Sequence, residues 1–438
     1  MNKTARRFGA LLACPMAFAP AAWAADKPQI DTGDTAWLLM ATVLVLMMNI
    51  PGLALFYAGM VRKKNVLATS VQAFAVAALV TVLWFAVGYS LSFTEGGGLN
   101  AAIGSLSRAF GKGLLGSVHE LARTVPENVF LMYQATFAVI TPAIIAGAFA
   151  ERMKFSAMMW FMGLWLLFVY VPVAHWVWGG GFLGAAGVLD FAGGLVVHLN
   201  AGIAALVCCV VIGRRHGYGH EYMAPHNLVL TLIGTSLLWV GWFGFNAGSA
   251  LASGELAGSA MLNTHIAASV AALVWMTIEW ATRGKPSVLG ILTGAVAGLG
   301  MITPAAGYVE PWAALVIGVI AGSVCYWASI VLKNKLGYDD SLDAFGVHGV
   351  GGIVGSILVG VFATRMINDV AKGQPVGLVD GNGGQILTQL YGVVVIGLFS
   401  AVVTWVILKI LDAAIGLRVT QDEEVEGLDT ALHGERVQ

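Results

Sequence analysis

DFAGGLVVHLNAG, residues 190–202, sets a carboxylate and an imidazole in a run that is otherwise apolar and rich in glycine. Asp190 opens it, and His198 follows among Val, Leu and Gly. An ionisable side chain inside a membrane-crossing helix is expensive and marks function by default. A second stretch, DAFGVHG at 343–349, repeats the acid and the histidine. Two more pairs keep the same order along the chain: FYAG at 56–59 with FNAG at 245–248, and ITP at 140–142 with ITP at 302–304. Shared order in three weak matches points to two related halves.

Apolar runs between charged clusters give eleven spans, near 36–60, 66–93, 127–150, 155–176, 191–213, 227–249, 259–282, 288–304, 311–332, 346–363 and 386–411. Most are close to the roughly 20 residues that cross a bilayer. The first five and the next five form the halves. Five is odd, so the halves cross the membrane in opposite senses, as in transporters whose pathway lies at the repeat interface. The expected fold is an all-α polytopic membrane protein: two inverted five-helix repeats plus a final helix.

Composition agrees. Of 438 residues, 58% are hydrophobic and 11% charged, against roughly 25% charged in a soluble domain. A net charge of −1 gives no footing for a nucleic-acid partner; membrane lipid is the expected surrounding. Residues 1–24, MNKTARRFGALLACPMAFAPAAWA, have a basic start, a short apolar stretch and Ala22-Trp23-Ala24. They read as a cleaved secretory signal peptide; a lipoprotein signal using Cys14 is the rival. The expected division is this signal, a transmembrane domain over 25–411 and a tail over 412–438. Lys and Arg such as Arg62, Lys63, Lys64, Arg214 and Arg215 gather opposite the mature N-terminus. By the positive-inside rule the N-terminus is periplasmic and the tail cytoplasmic, in a bacterial inner membrane. No CxxC spacing occurs among the four cysteines, so neither zinc nor a redox pair is indicated. Small residues at Gly290, Gly294 and Gly298, and at Gly318 and Gly322, suit close helix contact.

Of nine histidines, His119, His216, His220, His226 and His433 fall in loops or rims, and His175 and His265 near span ends. His198 and His348 are different, at repeat-related places inside apolar spans. A lone intramembrane histidine is ordinarily a hydrogen-bonded packing residue. Two related by an inverted repeat can meet at its axis and hand a proton between rings. Dry surroundings disfavour a charged imidazole, so the resting pair is neutral. Asp190 precedes its span, where a carboxylate caps free N–H groups, and Asp343 is expected to do the same before the tenth. Tyr133 and Phe137, four apart, share a helix face, as do Phe245 and Ser249; Trp178 lies in HWVWGGG. These aromatics are either core packing or a cage in which ring faces attract a cation and Ser249 accepts one of its N–H bonds.

DFAGGLVVHLNAG, GWFGFNAGSA, AHWVWGGG, PGLALFYAGM, FGVHGVGGIVG and the tail GLRVTQDEEVEGLDTALHGE together resemble the bacterial ammonium transporter family, related to the Rhesus proteins. The resemblance runs from about residue 34 to the C-terminus. It implies a homotrimer with one path per protomer, a transporter rather than an enzyme, and no cofactor. Phe137, Trp178 and Ser249 match the outer ammonium site, Phe137 and Phe245 the stacked gate, and His198 and His348 the pore histidines. Tyr133 stands where many members have Phe. Ammonium or methylammonium is the implied substrate, and a PII-class nitrogen signal protein the implied partner of the tail. Two other readings remain: an ammonium sensor signalling through a partner, and a bis-histidine haem protein.

Overall fold

The structure, a computed structural model, describes residues 29–437; the expected signal peptide lies outside them. Among the described residues ten helical runs are long and apolar enough to cross a membrane. In chain order they are α1 (Thr32–Met60), α2 (Lys63–Phe93), α3 (Glu127–Phe149), α4 (Phe155–Ala185), α5 (Gly194–Ile212), α6 (Leu228–Gly248), α7 (Glu255–Arg283), α9 (Pro311–Leu336), α10 (Phe345–Phe362) and α11 (Gly384–Ile415). The eighth expected span is α8, a shorter apolar helix at Val288–Ile302. Its continuation leaves the helix as turns, and Asn263 donates to the carbonyls of Ala306 and Val309 there. Irregular backbone at membrane depth is tolerated when protein satisfies it. The fold is thus the expected polytopic helical bundle. Helix α4 breaks after Val177, next to its expected end at 176, and resumes for one turn at Phe182–Ala185, while α11 runs past 411 to Ile415.

The glycine stripes explain how the bundle closes. A Cβ on Gly294 or Gly298 would lie 2.9 or 2.5 Å from the carbonyls of Ala271 or Ala267 of α7. From α9, Cβ atoms on Gly318 and Gly322 would meet the same two carbonyls at 2.8 and 2.7 Å. So α7, α8 and α9 meet by backbone contact, which dispersion can hold where lipid gives no hydrophobic drive. The contact that matters for the site is Gly202 of α5 against Gly349 of α10, where a Cβ would fall 2.2 Å from the opposing Cα.

One face is closed by a buried ionic network and the tail. Arg62 and Arg215 pair with Glu151, at 2.8 and 3.4 Å, and Arg215 also with Asp339. Burial pushes the Glu151 carboxyl up, but Arg215 and Arg62 outweigh it and hold it below the usual range. The fully buried Arg152 donates to the carbonyls of Gly213, Ala148 and Asp339. After α11, the tail helices α12 (Gln421–Glu426) and α13 (Leu428–His433) fold onto this face. Asp429 accepts from the N–H groups of Leu67 and Ala68, and Glu424 pairs with Arg418 at 2.7 Å. A short hairpin, β1 (Val118–His119) with β2 (Ala122–Pro126), lies in the loop between α2 and α3 on the opposite face.

Candidate transport pathway

A vestibule of about 390 Å³ opens opposite the tail, walled by Gln134, Phe137, Trp178, Asp190, Phe191, Ser249 and Tyr308 among others. Trp178 is fixed by its indole N–H, which donates to the Asp190 carbonyl at 2.8 Å. Ser249 caps the end of α6 and donates to the Phe245 carbonyl at 2.9 Å, which leaves its oxygen lone pairs to accept. Tyr133 does not belong to these walls. It is fully buried, its ring 5.1 Å from Phe137, and its hydroxyl lies 3.0 Å from the carbonyls of Gly244 and Phe245 and 3.3 Å from Ser249 Oγ. The hydroxyl is spent on helix α6, so Tyr133 packs behind Phe137 and Ser249.

Below the vestibule Phe137 and Phe245 stack at 4.3 Å with 28° between planes, both buried. Phe137 faces the vestibule and Phe245 the space beneath. That space measures about 10 Å³ and is walled by apolar side chains, Trp242, His198 and His348. It is at the threshold for a single water. Trp242 stacks on His198 at 5.4 Å, and the two imidazoles stack at 5.2 Å with Nδ1 atoms 3.2 Å apart. Beyond His348 a cavity of about 20 Å³ leads toward the tail side, past Thr293, Met60 and Asp343. The structure therefore brings Phe137, Trp178, Ser249, Phe245, His198 and His348 onto one line.

Each histidine follows a helix start whose free N–H groups an acid caps. Asp190 accepts from the N–H groups of Gly193, Gly194, Leu195 and Val196 at 2.7–3.0 Å, satisfying the free donors that open α5. The expected counterpart, Asp343, does not cap α10. Asp340 does, accepting from Ala344 and Phe345 at 3.1 and 2.7 Å, while Asp343 pairs with Lys333. The signal was present in the spacing: DFAGGLVVH and DSLDAFGVH each put the capping acid eight residues before the histidine. Aligning on the nearer acid missed it. His175, near a span end, is fully buried, with its ring nitrogens 2.9 and 2.7 Å from the carbonyls of Ser92 and Asn100.

A haem between His198 and His348 is excluded by the same geometry, since nitrogens 3.2 Å apart in so small a space leave no room for a porphyrin. Residues 36–438 match the Ammonium Transporter Family. The chain belongs to the ammonium transporter family. This transporter is 47% identical over 407 residues to the ammonium transporter of Bacillus subtilis, covering 93% of this chain and 98% of that one. To the ammonium transporter of Aquifex aeolicus it is 50% identical over 413 residues, 94% of this chain and 95% of the other. Its fold is similar to that of Saccharomyces cerevisiae Mep2, with a TM-score of 0.84 at 36% identity over 90% of this chain and 89% of that one.

Proposed function

We propose that this transporter recruits ammonium at the vestibule, strips a proton from it, and passes NH₃ through the pore while His198 and His348 relay the proton. The observation that carries the reading is the 3.2 Å Nδ1–Nδ1 contact inside an apolar space with room for about one water. Taking a bare monovalent cation into such surroundings costs on the order of 20 kcal/mol. A cation–π contact at Phe137 or Trp178 returns only about 0.5–2 kcal/mol. The cage can select a cation and cannot carry it. Ammonium has an escape that K⁺ lacks: it divides into a neutral molecule and a proton that takes its own route.

The setting proposed is a bacterial inner membrane, with residues 1–24 removed as a signal, the vestibule periplasmic and the tail cytoplasmic. Three protomers form the working unit, methylammonium is a second substrate, and a PII-class protein binds at the tail face. In reconstituted liposomes, ammonium gives a current together with methylammonium uptake. A K⁺ current of comparable size would overturn the mechanism.

A further inference from the structure

Asp343 is left without the capping role that Asp340 fills, yet it stands at the pore. It borders the tail-side cavity together with Thr293, Met60 and His348. Its backbone has φ +60°, a left-handed conformation that side chains other than those of Asp and Asn rarely accept. Its carboxylate receives the ammonium group of Lys333, whose Nζ also lies 3.5 Å from the Asp340 carbonyl. The side chains of Asp343 and Lys333 are 28% and 17% exposed, so the pair sits between cytoplasm-side water and the pore.

Two further observations bear on what this place would hold. The repeat pairs FYAGM with FNAGS, which sets Met60 opposite Ser249. At that repeat-related position the tail-side mouth has a thioether, while Thr293, whose hydroxyl donates to the Leu289 carbonyl at 2.8 Å, and the Asp343 carboxylate border the cavity as acceptors. His348 is 95% withdrawn from solvent, being 5% exposed, and its ring bonds through Nδ1 to His198. Among the described residues Nε2 of His348 has no hydrogen-bond partner, and the ring borders the same cavity as Asp343.

We propose that Asp343 is a second ammonium site, at the tail-side end of the pore, with the Lys333 side chain as its resident occupant. Lys333 is an alkylammonium, the same kind of ion as the substrate, and it already occupies the carboxylate. An ammonium ion arriving at or leaving this mouth exchanges with it. The proposal rests on the separate passage of NH₃ and H⁺. An NH₃ molecule leaving the pore takes a proton from Nε2 of His348: one N–H bond forms, one breaks, and the imidazolium returns to neutral imidazole. Asp343 then balances the charge of the new NH₄⁺ until water takes it. In reverse transport the same carboxylate recruits ammonium.

The test is sidedness, read with ammonium chloride on right-side-out and inside-out vesicles. In Asp343→Asn, half-saturation for ammonium applied at the tail side rises by about 3- to 5-fold, the range of one partly exposed ion pair. Half-saturation at the vestibule side stays as in the parent. Lys333→Gln removes the competing ion, so tail-side half-saturation falls. Asn keeps the left-handed backbone; should Asp343→Asn fail to insert, the opposite shift in Lys333→Gln still decides. Equal half-saturation on the tail side in all variants, or equal shifts on both sides, overturns the site. The double variant His198→Ala, His348→Ala separates this from the relay. If it keeps normal current while Asp343→Asn shifts the tail side, the relay falls and the site stands. If it loses current while Asp343→Asn behaves as the parent, the site falls alone.

Discussion

The Nδ1 atoms of His198 and His348 lie 3.2 Å apart, so one carries a hydrogen and the other does not. The rings are therefore opposite tautomers, one with a bare Nε2 and one with an Nε2–H. A proton added to the bare Nε2 pushes the shared hydrogen across, and the other ring releases its own. Among the described residues the buried Nε2 of His198 has no partner, as an entry point requires. Replacing both histidines by Ala leaves a folded protein without proton-coupled current in liposomes. A single Glu at either place retains part of it, since a carboxyl also passes protons. Normal current and selectivity in the double Ala variant would end the relay.

The vestibule contacts are individually modest. Trp178→Leu and Ser249→Ala each remove about 1 kcal/mol, which raises half-saturation for methylammonium by about fivefold. Tyr133→Phe leaves half-saturation near the parent value, because its hydroxyl is bonded to the backbone of α6 outside the vestibule walls. It lowers thermal stability instead, by about 1 kcal/mol. A large affinity change in Tyr133→Phe would place that hydroxyl in the vestibule after all.

The acids before the histidines are structural supports. Asp190→Ala leaves four N–H groups unpaired in a dry site, and each such donor costs about 1–3 kcal/mol. Asp340→Ala uncovers two. Both variants lose yield or melting temperature in detergent, Asp190→Ala the more. Equal stability of the two would mean that water replaces the caps.

The crossing of α5 and α10 admits no side chain at Gly202, where a Cβ would meet Gly349 at 2.2 Å. Gly202→Val forces the helices apart, costing about 1–3 kcal/mol or more, and separates the imidazoles. Current falls with little change in vestibule half-saturation. Unaltered current would show that the pair tolerates a wider spacing.

The tail is held by named bonds: Asp429 to the N–H groups of Leu67 and Ala68, Lys64 Nζ to the carbonyls of Glu424 and Val425. Deleting the residues after Gly416 leaves membrane insertion intact and alters transport or its regulation. Asp429→Ala frees the tail, so limited proteolysis cuts it faster. Pull-down with a PII-class protein, with and without the tail, reads the partner. Equal binding and transport in the truncated chain would reduce the tail to an inert extension.

Much of this protein is written in local pattern. Hydropathy marks the spans, because lipid requires every backbone donor to be satisfied within a helix. The order of FYAG, ITP and the acid–histidine runs marks the repeat, and four-residue spacing aligns Phe245 with Ser249. Tertiary structure decided the rest. Whether Asp340 or Asp343 caps α10 depends on where the chain turns, and Asp343 turned toward Lys333. Tyr133 faces α6 and not the vestibule, since a helix face is defined only against its neighbours. The contact between His198 and His348, 150 residues apart in sequence, exists because Gly202 and Gly349 let two backbones touch. Periodicity fixes which residues share a helix face. Only packing fixes what that face meets.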